Sequence, residues 1–437
     1  MVSVRIPVVR CVQRVAVPHG TNGWNEGAMA AYLVAGKKLA GKQCAGLRSG
    51  AMTVALSLIF GTGLPAVAES SYNQAQVVDP TASFVNVVER RMELAYATTP
   101  RVVQALSSQK GCIGSVQPTP PVGWMTIPDH YRNGDYGPVN PEEAQAAAPY
   151  RELEDAASAG ASRYLASGNP AEAVCVANLL SQWAAAKSLL NYSERDSRQA
   201  WYQVEWTLSS VSLAWSVVAN EPAIPAAQSA AIVRWMHDVA EHMFAEDPHA
   251  GDKRYENNHA YWRALCATSV GILASDNKLY RHGLAQYARA IGQMNPDGSF
   301  PQEMTRHENA LKYQSFALAP LVMIAELAER QGVDLFSLRA HGRTLDDAVN
   351  FLVSASANPD LVKQYAAEPQ TFSLDSGKNP PAWTEFWAAL HPGKPWSDLL
   401  TQPLFDANLG GNTTLYVAPT QMARVASLDQ PPSSGAR

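Results

Sequence analysis

Residues 255–273 read YENNHAYWRALCATSVGIL, and the apolar positions Leu265, Val270 and Leu273 recur at the spacing of one helical face. On such a helix Asn258 and Trp262 lie four apart and His259 and Trp262 three apart, so an amide, an imidazole and an indole share one patch. This stretch is representative of the chain. Helical periodicity recurs near 82–96, 142–167, 170–188, 195–219, 223–245, 277–291, 303–331, 343–356 and 383–391, broken by Gly, Pro and Asn-Asp clusters. Alternating strand patterns are nearly absent. Asn169-Pro170 and Asn220-Glu221-Pro222 each place proline where a new helix begins. About ten helices in antiparallel pairs, with no sheet, must bury their faces against each other. The pattern therefore predicts an all-α fold, and by itself admits an (α/α) toroid or an α-solenoid; no fixed-period repeat decides between them.

Two further residues give the helical patch a chemistry. In the segment read as helix 303–331, Arg306 and Tyr313 are seven apart and fall on one stripe, separated by a rise of roughly 10 Å. An amide, an imidazole, a guanidinium and a phenol suit removal of a proton next to a carboxylate, with expulsion of the oxygen on the neighbouring carbon. Arg306 and Asn258 would meet the carboxylate as charge develops, and His259 and Tyr313 would serve as general base and general acid. Tyr313 alone could take both parts. No metal or other cofactor is required. A glycoside hydrolase would instead need two carboxyl groups flanking the bond, and Glu256, Glu303 and Glu308 form no such pair in sequence.

The 437-residue chain is 46% hydrophobic and can bury a large core in one domain or several. Lys37, Lys38, Lys42 and Arg48 precede the apolar run Ala51 to Leu64, which ends in Ala66-Val67-Ala68, a small-x-small pattern. The run is short for a membrane span. Residues 1–68 are therefore expected to be an N-terminal extension and signal peptide, cleaved after Ala68 for export to the periplasm with no stable membrane insertion, and Met29 is a candidate start. Cleavage would remove 7 of 34 basic and 1 of 39 acidic residues, leaving 27 against 38, a formal charge of −11. No basic stripe suits nucleic acid. An anionic substrate would need a locally basic cleft. Residues 114–141 carry Pro118, Pro120, Pro121, Pro128, Gly123, Gly134 and Gly137 among Trp124, Tyr131 and Tyr136; they read as an aromatic-bearing loop over a cleft or as a packed linker. Residues 426–437 are expected to be a disordered tail.

The blocks NNHAYW at 257–262, PQEMTR at 301–306 and ALKY at 310–313 resemble, in order and spacing, the signature blocks of the periplasmic mannuronate-specific alginate lyases. CVANLLSQW at 175–183, EWTL at 205–208, AWTE at 382–385 and Leu409-Gly410-Gly411 extend the resemblance over roughly residues 85–420. It implies an incomplete (α/α) toroid with an N-terminal lid loop, a single lyase domain over 69–425, and cleavage of β-1,4 bonds of polymannuronate by β-elimination. His259 and Tyr313 would be the catalytic pair, and Asn258 and Arg306 would hold the carboxylate. Trp262 would line the sugar site, with Trp206 and Trp383 as further sugar-contacting candidates. The family's lid carries Lys-Tyr, for which the nearest match here is His130-Tyr131. Cys112 and Cys175 resemble its disulfide, whereas Cys266 is read as an inert core residue. The implied partner is alginate, with a polysaccharide export complex as a second expected contact. Another polyuronate, such as polyglucuronate, and a non-catalytic scaffold are the alternatives.

Overall fold

A computed structural model of the chain describes residues 72–420, apart from 134–136, 246, 248, 250, 375–379 and 394–397. The expected extension, signal peptide, cleavage point and tail lie outside the described residues. The α-helices that lie wholly among the described residues are α1 Val87–Ala95, α2 Pro100–Ser108, α3 Pro141–Ser167, α4 Pro170–Ala185, α5 Arg198–Val218, α6 Ala226–Ala245, α7 Asn258–Leu273, α8 Asn277–Gln293, α9 Ala310–Glu329, α10 Leu345–Ala357, α11 Thr384–Leu390 and α12 Thr413–Val417. Two-residue strands at 405–406 and 411–412 are the only sheet among the described residues. No described helix is long and apolar enough to cross a membrane.

The helix boundaries follow from side chains that satisfy the first free N–H groups. Asn140, Asn169, Ser197, Asn257 and Asp276 accept from the opening turns of α3, α4, α5, α7 and α8, each contact contributing about 0.5–2 kcal/mol. Proline takes the first position of α3 and α4, where no N–H is needed. Helix α3 closes on Gly168, whose φ of 67° suits glycine.

Four helices, α3, α5, α7 and α9, pack side by side as an inner layer, and α4, α6, α8 and α10 cover them from outside. This is the (α/α) toroid, and it disposes of the solenoid alternative. Burial reflects the two layers. From Asn258 to Ile272, every residue of α7 except His259 is buried, as expected of a helix enclosed on all sides. Between α7 and α8 the backbones nearly touch: a Cβ on Gly283 would lie 2.1 Å from Thr268 Oγ1 and 2.7 Å from the Ala264 carbonyl oxygen.

Two features differ from the sequence expectations. Helix α2 was not anticipated; its Arg101 pairs with the buried Glu385, which Thr414 also contacts, tying α2 to α11 and α12. The segment expected as helix from 303 is a run of turns through Arg306, then a 3-10 turn at 307–309, because His307 adopts φ 50° and α9 cannot start until Ala310. Prolines 149 and 320 sit inside α3 and α9. Cys112 and Cys175 form a disulfide that fastens the segment before residue 114 to α4, and Cys266 is buried and free.

Gly283→Ala should lower the melting temperature by several degrees, since the added methyl must push α7 and α8 apart at a cost of roughly 1–3 kcal/mol. Thermal unfolding followed by circular dichroism checks this; an unchanged midpoint would contradict the close approach.

Candidate active site

The one residue of that stretch of α7 that is only partly buried, His259, opens onto a cleft of about 320 Å³. Its Nδ1 is 2.5 Å from Oε1 of Glu205, a fully buried residue of α5 whose other oxygen accepts from Arg263 Nη1 at 3.2 Å. With Glu205 as acceptor, the imidazole hydrogen sits on Nδ1 and Nε2 carries the lone pair. Tyr202 stacks on the ring at 3.5 Å between centroids and 14° between planes, fixing its orientation. Burial, then the Arg306, Arg263 and Arg198 charges, hold His259 well below the ordinary histidine value, so the ring is neutral at neutral pH. Burial raises Glu205 well above the ordinary carboxylate value, opposed by Arg263.

Asn258, directly before His259, is completely buried and gripped by Glu303: its backbone N–H donates to Oε1 at 2.6 Å and its Nδ2 to Oε2 at 3.0 Å, leaving Oδ1 without a partner. Glu303 and Arg306 belong to the same set of turns, and the Arg306 backbone N–H donates to the Glu303 carbonyl. The Arg306 guanidinium lies 4.9 Å from the centroid of the Tyr313 ring, and its Nε is buried without a partner. The two residues are therefore not one helical stripe, as sequence spacing suggested; the turns at 301–309 fold the arginine back over the phenol. Burial first, then the adjoining Tyr131 phenol, raise Tyr313 above the ordinary tyrosine value, so the hydroxyl stays protonated through mildly alkaline pH.

Four cationic side chains line the cleft, Arg151, Arg198, Arg306 and Lys312, against the single carboxylate Asp129. The acidic chain thus carries a basic site. Trp206 and Phe316 form one end, and beyond them, sharing Arg151, the cleft runs into a second cavity of about 350 Å³. His130 and the buried Tyr131 also line the catalytic cleft. A larger cavity of about 810 Å³, between residues 108–116, α3 and residues 403–412, holds none of the residues singled out in the sequence.

Two tryptophans do not reach the cleft. Trp262 is 1% exposed and packs behind Phe316 at 5.1 Å between centroids, on the inner side of α7. Trp383 is 2% exposed, and its Nε1 donates to Ser315 Oγ behind α9. Their enclosed helices leave an indole no path to solvent, which corrects the expectation that either contacts sugar. Sequence reasoning also missed two working carboxylates. Glu205 sits in the EWTL block but signals nothing without its distance to His259, and Glu303, weighed as a hydrolase carboxyl, is instead consumed in holding Asn258.

The fold and the basic cleft, with its neutral imidazole, protonated phenol and unpaired guanidinium, define a helical-toroid enzyme for an acidic sugar polymer. Residues 89–362 match the alginate lyase family model, and the chain belongs to that family. It is a polysaccharide lyase. A polysaccharide lyase of Stenotrophomonas maltophilia is 30% identical over 74% of this chain and 96% of its own length, and an alginate lyase of Pseudomonas syringae is 28% identical over 61% and 71%. The structure of a variant of alginate lyase A1-III complexed with a tetrasaccharide superposes with a TM-score of 0.75 and 39% identity, covering 80% of this chain and 99% of that one. The 1.78 Å structure of alginate lyase A1-III from Sphingomonas species A1 gives 0.74 and 40% over the same shares.

Glu205→Gln keeps the shape of the pair but removes the charge that would balance an imidazolium. It should lower kcat on the order of 10- to 100-fold with little change in KM, as for carboxylates that orient other working histidines. Steady-state kinetics alongside a melting curve check this, and an equal loss in both constants would point to collapse of the site instead.

Proposed function

We propose that the enzyme cleaves β-1,4-linked polymannuronate by β-elimination, leaving a 4,5-unsaturated uronate at the new non-reducing end. The observation that carries the proposal is that a neutral His259, a protonated Tyr313 and a half-buried Arg306 whose Nε has no partner line one cleft. The C5 proton of a uronate is weakly acidic while its carboxylate keeps full charge, because the carbanion adds a second negative charge next to it. Arg306, its Nε unpaired and its guanidinium braced on the Tyr313 ring, meets that carboxylate and draws off the charge. Asn258, expected from the sequence to hold the carboxylate, is fully buried and does not line the cleft; held by Glu303, it supports the wall behind His259 instead. His259 Nε2 takes the C5 proton; the resulting imidazolium is balanced by Glu205. Tyr313 gives its proton to the C4 oxygen as that bond breaks. In mannuronate the two reacting positions lie on one face of the ring, so base and acid can work from the same side of the cleft.

The cavity beyond Trp206 and Phe316 continues the cleft past Arg151, but its wall carries Glu154, Asp155 and Asp406, so uronate binding is centred on the basic part that holds His259. Residues 114–141 act as a lid through His130 and Tyr131, and the protein works in the periplasm after cleavage following Ala68, in one domain over 69–425.

Incubation with polymannuronate, polyguluronate and polyglucuronate, followed by ultraviolet absorbance of the conjugated alkene, tests the reading: absorbance should rise fastest with polymannuronate. New reducing ends without absorbance would mean hydrolysis. His259→Ala and Tyr313→Phe should each lose on the order of 10²–10⁴-fold in kcat with helical content retained. A variant that keeps more than about a tenth of the activity is not the base or acid. With the His259 value depressed, protonation is postponed to lower pH, so kcat should hold as pH falls through the ordinary histidine range of about 6.5 and drop only below it. A pH–rate profile reads this directly.

A further inference from the structure

Residues 130–132 and 138–140 pair with each other, and the latter lead straight into α3. Tyr131 and Val139 form an antiparallel bridge, Arg132 N–H donates to the Pro138 carbonyl at 3.0 Å, and Asn140 N–H donates to the His130 carbonyl at 2.8 Å. At the foot of this pairing, in the first turn of α3, stands Glu143, 1% exposed. Both of its oxygens are engaged by cleft-lining side chains: Oε2 faces His130 Nδ1 at 3.3 Å, and Oε1 accepts from Arg151 Nη2 at 2.5 Å. Burial raises this carboxyl, but the His130 hydrogen bond and the charges of Arg151 and His130 outweigh burial and hold it below the ordinary value. Glu143 is thus a buried anion flanked by two half-exposed cations, and one of those cations exists only when an imidazole is protonated.

We propose that Glu143 is a positioning residue for the elimination: by pairing with His130 and Arg151 it holds both side chains, and the segment carrying Tyr131, against the cleft. The proposal rests on the polyuronate reading above, and assigns the pH dependence of substrate binding to a contact inside the protein. A neutral His130 imidazole can still donate its Nδ1–H to Glu143, and protonation adds charge attraction to that bond, so the contact is stronger in acid than in alkali. Glu143, lowered, keeps its charge until pH falls below the ordinary carboxylate range. Asp129 on this segment and Arg198, His259, Arg306 and Lys312 on the other walls also face the cleft. His259 is a second imidazole there, so it must be removed from the measurement.

In a His259→Ala background, binding of a mannuronate tetrasaccharide is followed by calorimetry from about pH 5.5 to about pH 8. Affinity should fall about two- to fivefold across that range, the scale of a partly exposed ion pair. Glu143→Gln should bind weakly at both ends of the range, His130→Lys tightly at both, and the double variant weakly. His130→Gln, a change on a half-exposed side chain, should reproduce the weak binding if Glu143→Gln melts early. In the enzyme that retains His259, the loss should fall on KM rather than kcat. Tight binding by the double variant, or an unchanged pH dependence in Glu143→Gln, would mean that His130 acts on the sugar directly and would overturn the proposal. A second readout needs no substrate: amide exchange of residues 125–133 and 137–140, corrected for intrinsic rates, should be slower at pH 5.5 than at pH 8 in wild type and equal in Glu143→Gln. Equal protection in wild type would also overturn it. If no form binds the tetrasaccharide, the polyuronate reading falls while the exchange experiment still judges the pairing.

Discussion

The buried carboxylate of Glu205 is the contact on which the site depends. It sits on α5 and reaches α7 twice, to His259 and to Arg263. A fully buried carboxyl group left without its hydrogen-bond partners costs about 1–3 kcal/mol, so the two inner helices meet in a register that satisfies it. The rest of their interface follows suit. Ser209 Oγ contacts Cys266 Sγ at 3.2 Å and Ser212 Oγ contacts Ser269 Oγ at 2.7 Å, a seam of small polar groups that lets the backbones come close. Arg263 is in turn covered by the face of Trp201 at 4.0 Å. The His259 imidazole is thereby the open end of a network otherwise sealed in the core.

Much of this was legible in the residues. The apolar spacing and the Asn-Pro and Asp caps located eight helices to within a few positions, because both signals are local. The turns at 301–309 were not legible. Ala310 onward is strongly helical, and nothing in Pro301–Arg306 alone announces that Glu303 will be drawn down onto Asn258 and stop a helix from forming. For the same reason the grouping of Asn258, His259, Arg306 and Tyr313 came from motif resemblance, whereas their actual geometry came from a tertiary contact. Trp262 and Trp383 failed in a complementary way. A helical wheel places Trp262 near His259, but an inner helix is enclosed all round, and three residues of separation are enough to turn an indole from the cleft into the core.

Charge distribution resolves an apparent conflict in the composition. A chain with 39 acidic and 34 basic residues is a poor partner for a polyanion as a whole. The cleft nevertheless gathers Arg151, Arg198, Arg306 and Lys312 from three different parts of the fold. Fields are focused in a low-dielectric concavity, so these four dominate what a bound sugar acid experiences, and the acidic outer surface matters mainly to solubility.

The loop that carries Tyr131 is pinned at both ends. Ile127 exchanges hydrogen bonds with the Ser197 hydroxyl at 3.1 and 2.8 Å, and Asn140 caps α3 while its amide holds the Asp129 carbonyl. A segment anchored at both flanks has few conformations left to lose when a ligand settles against it. Ordering it therefore costs little chain entropy. The binding energy of a long substrate is then left for the chemical step, so that substrate length would be expressed in turnover as well as in occupancy.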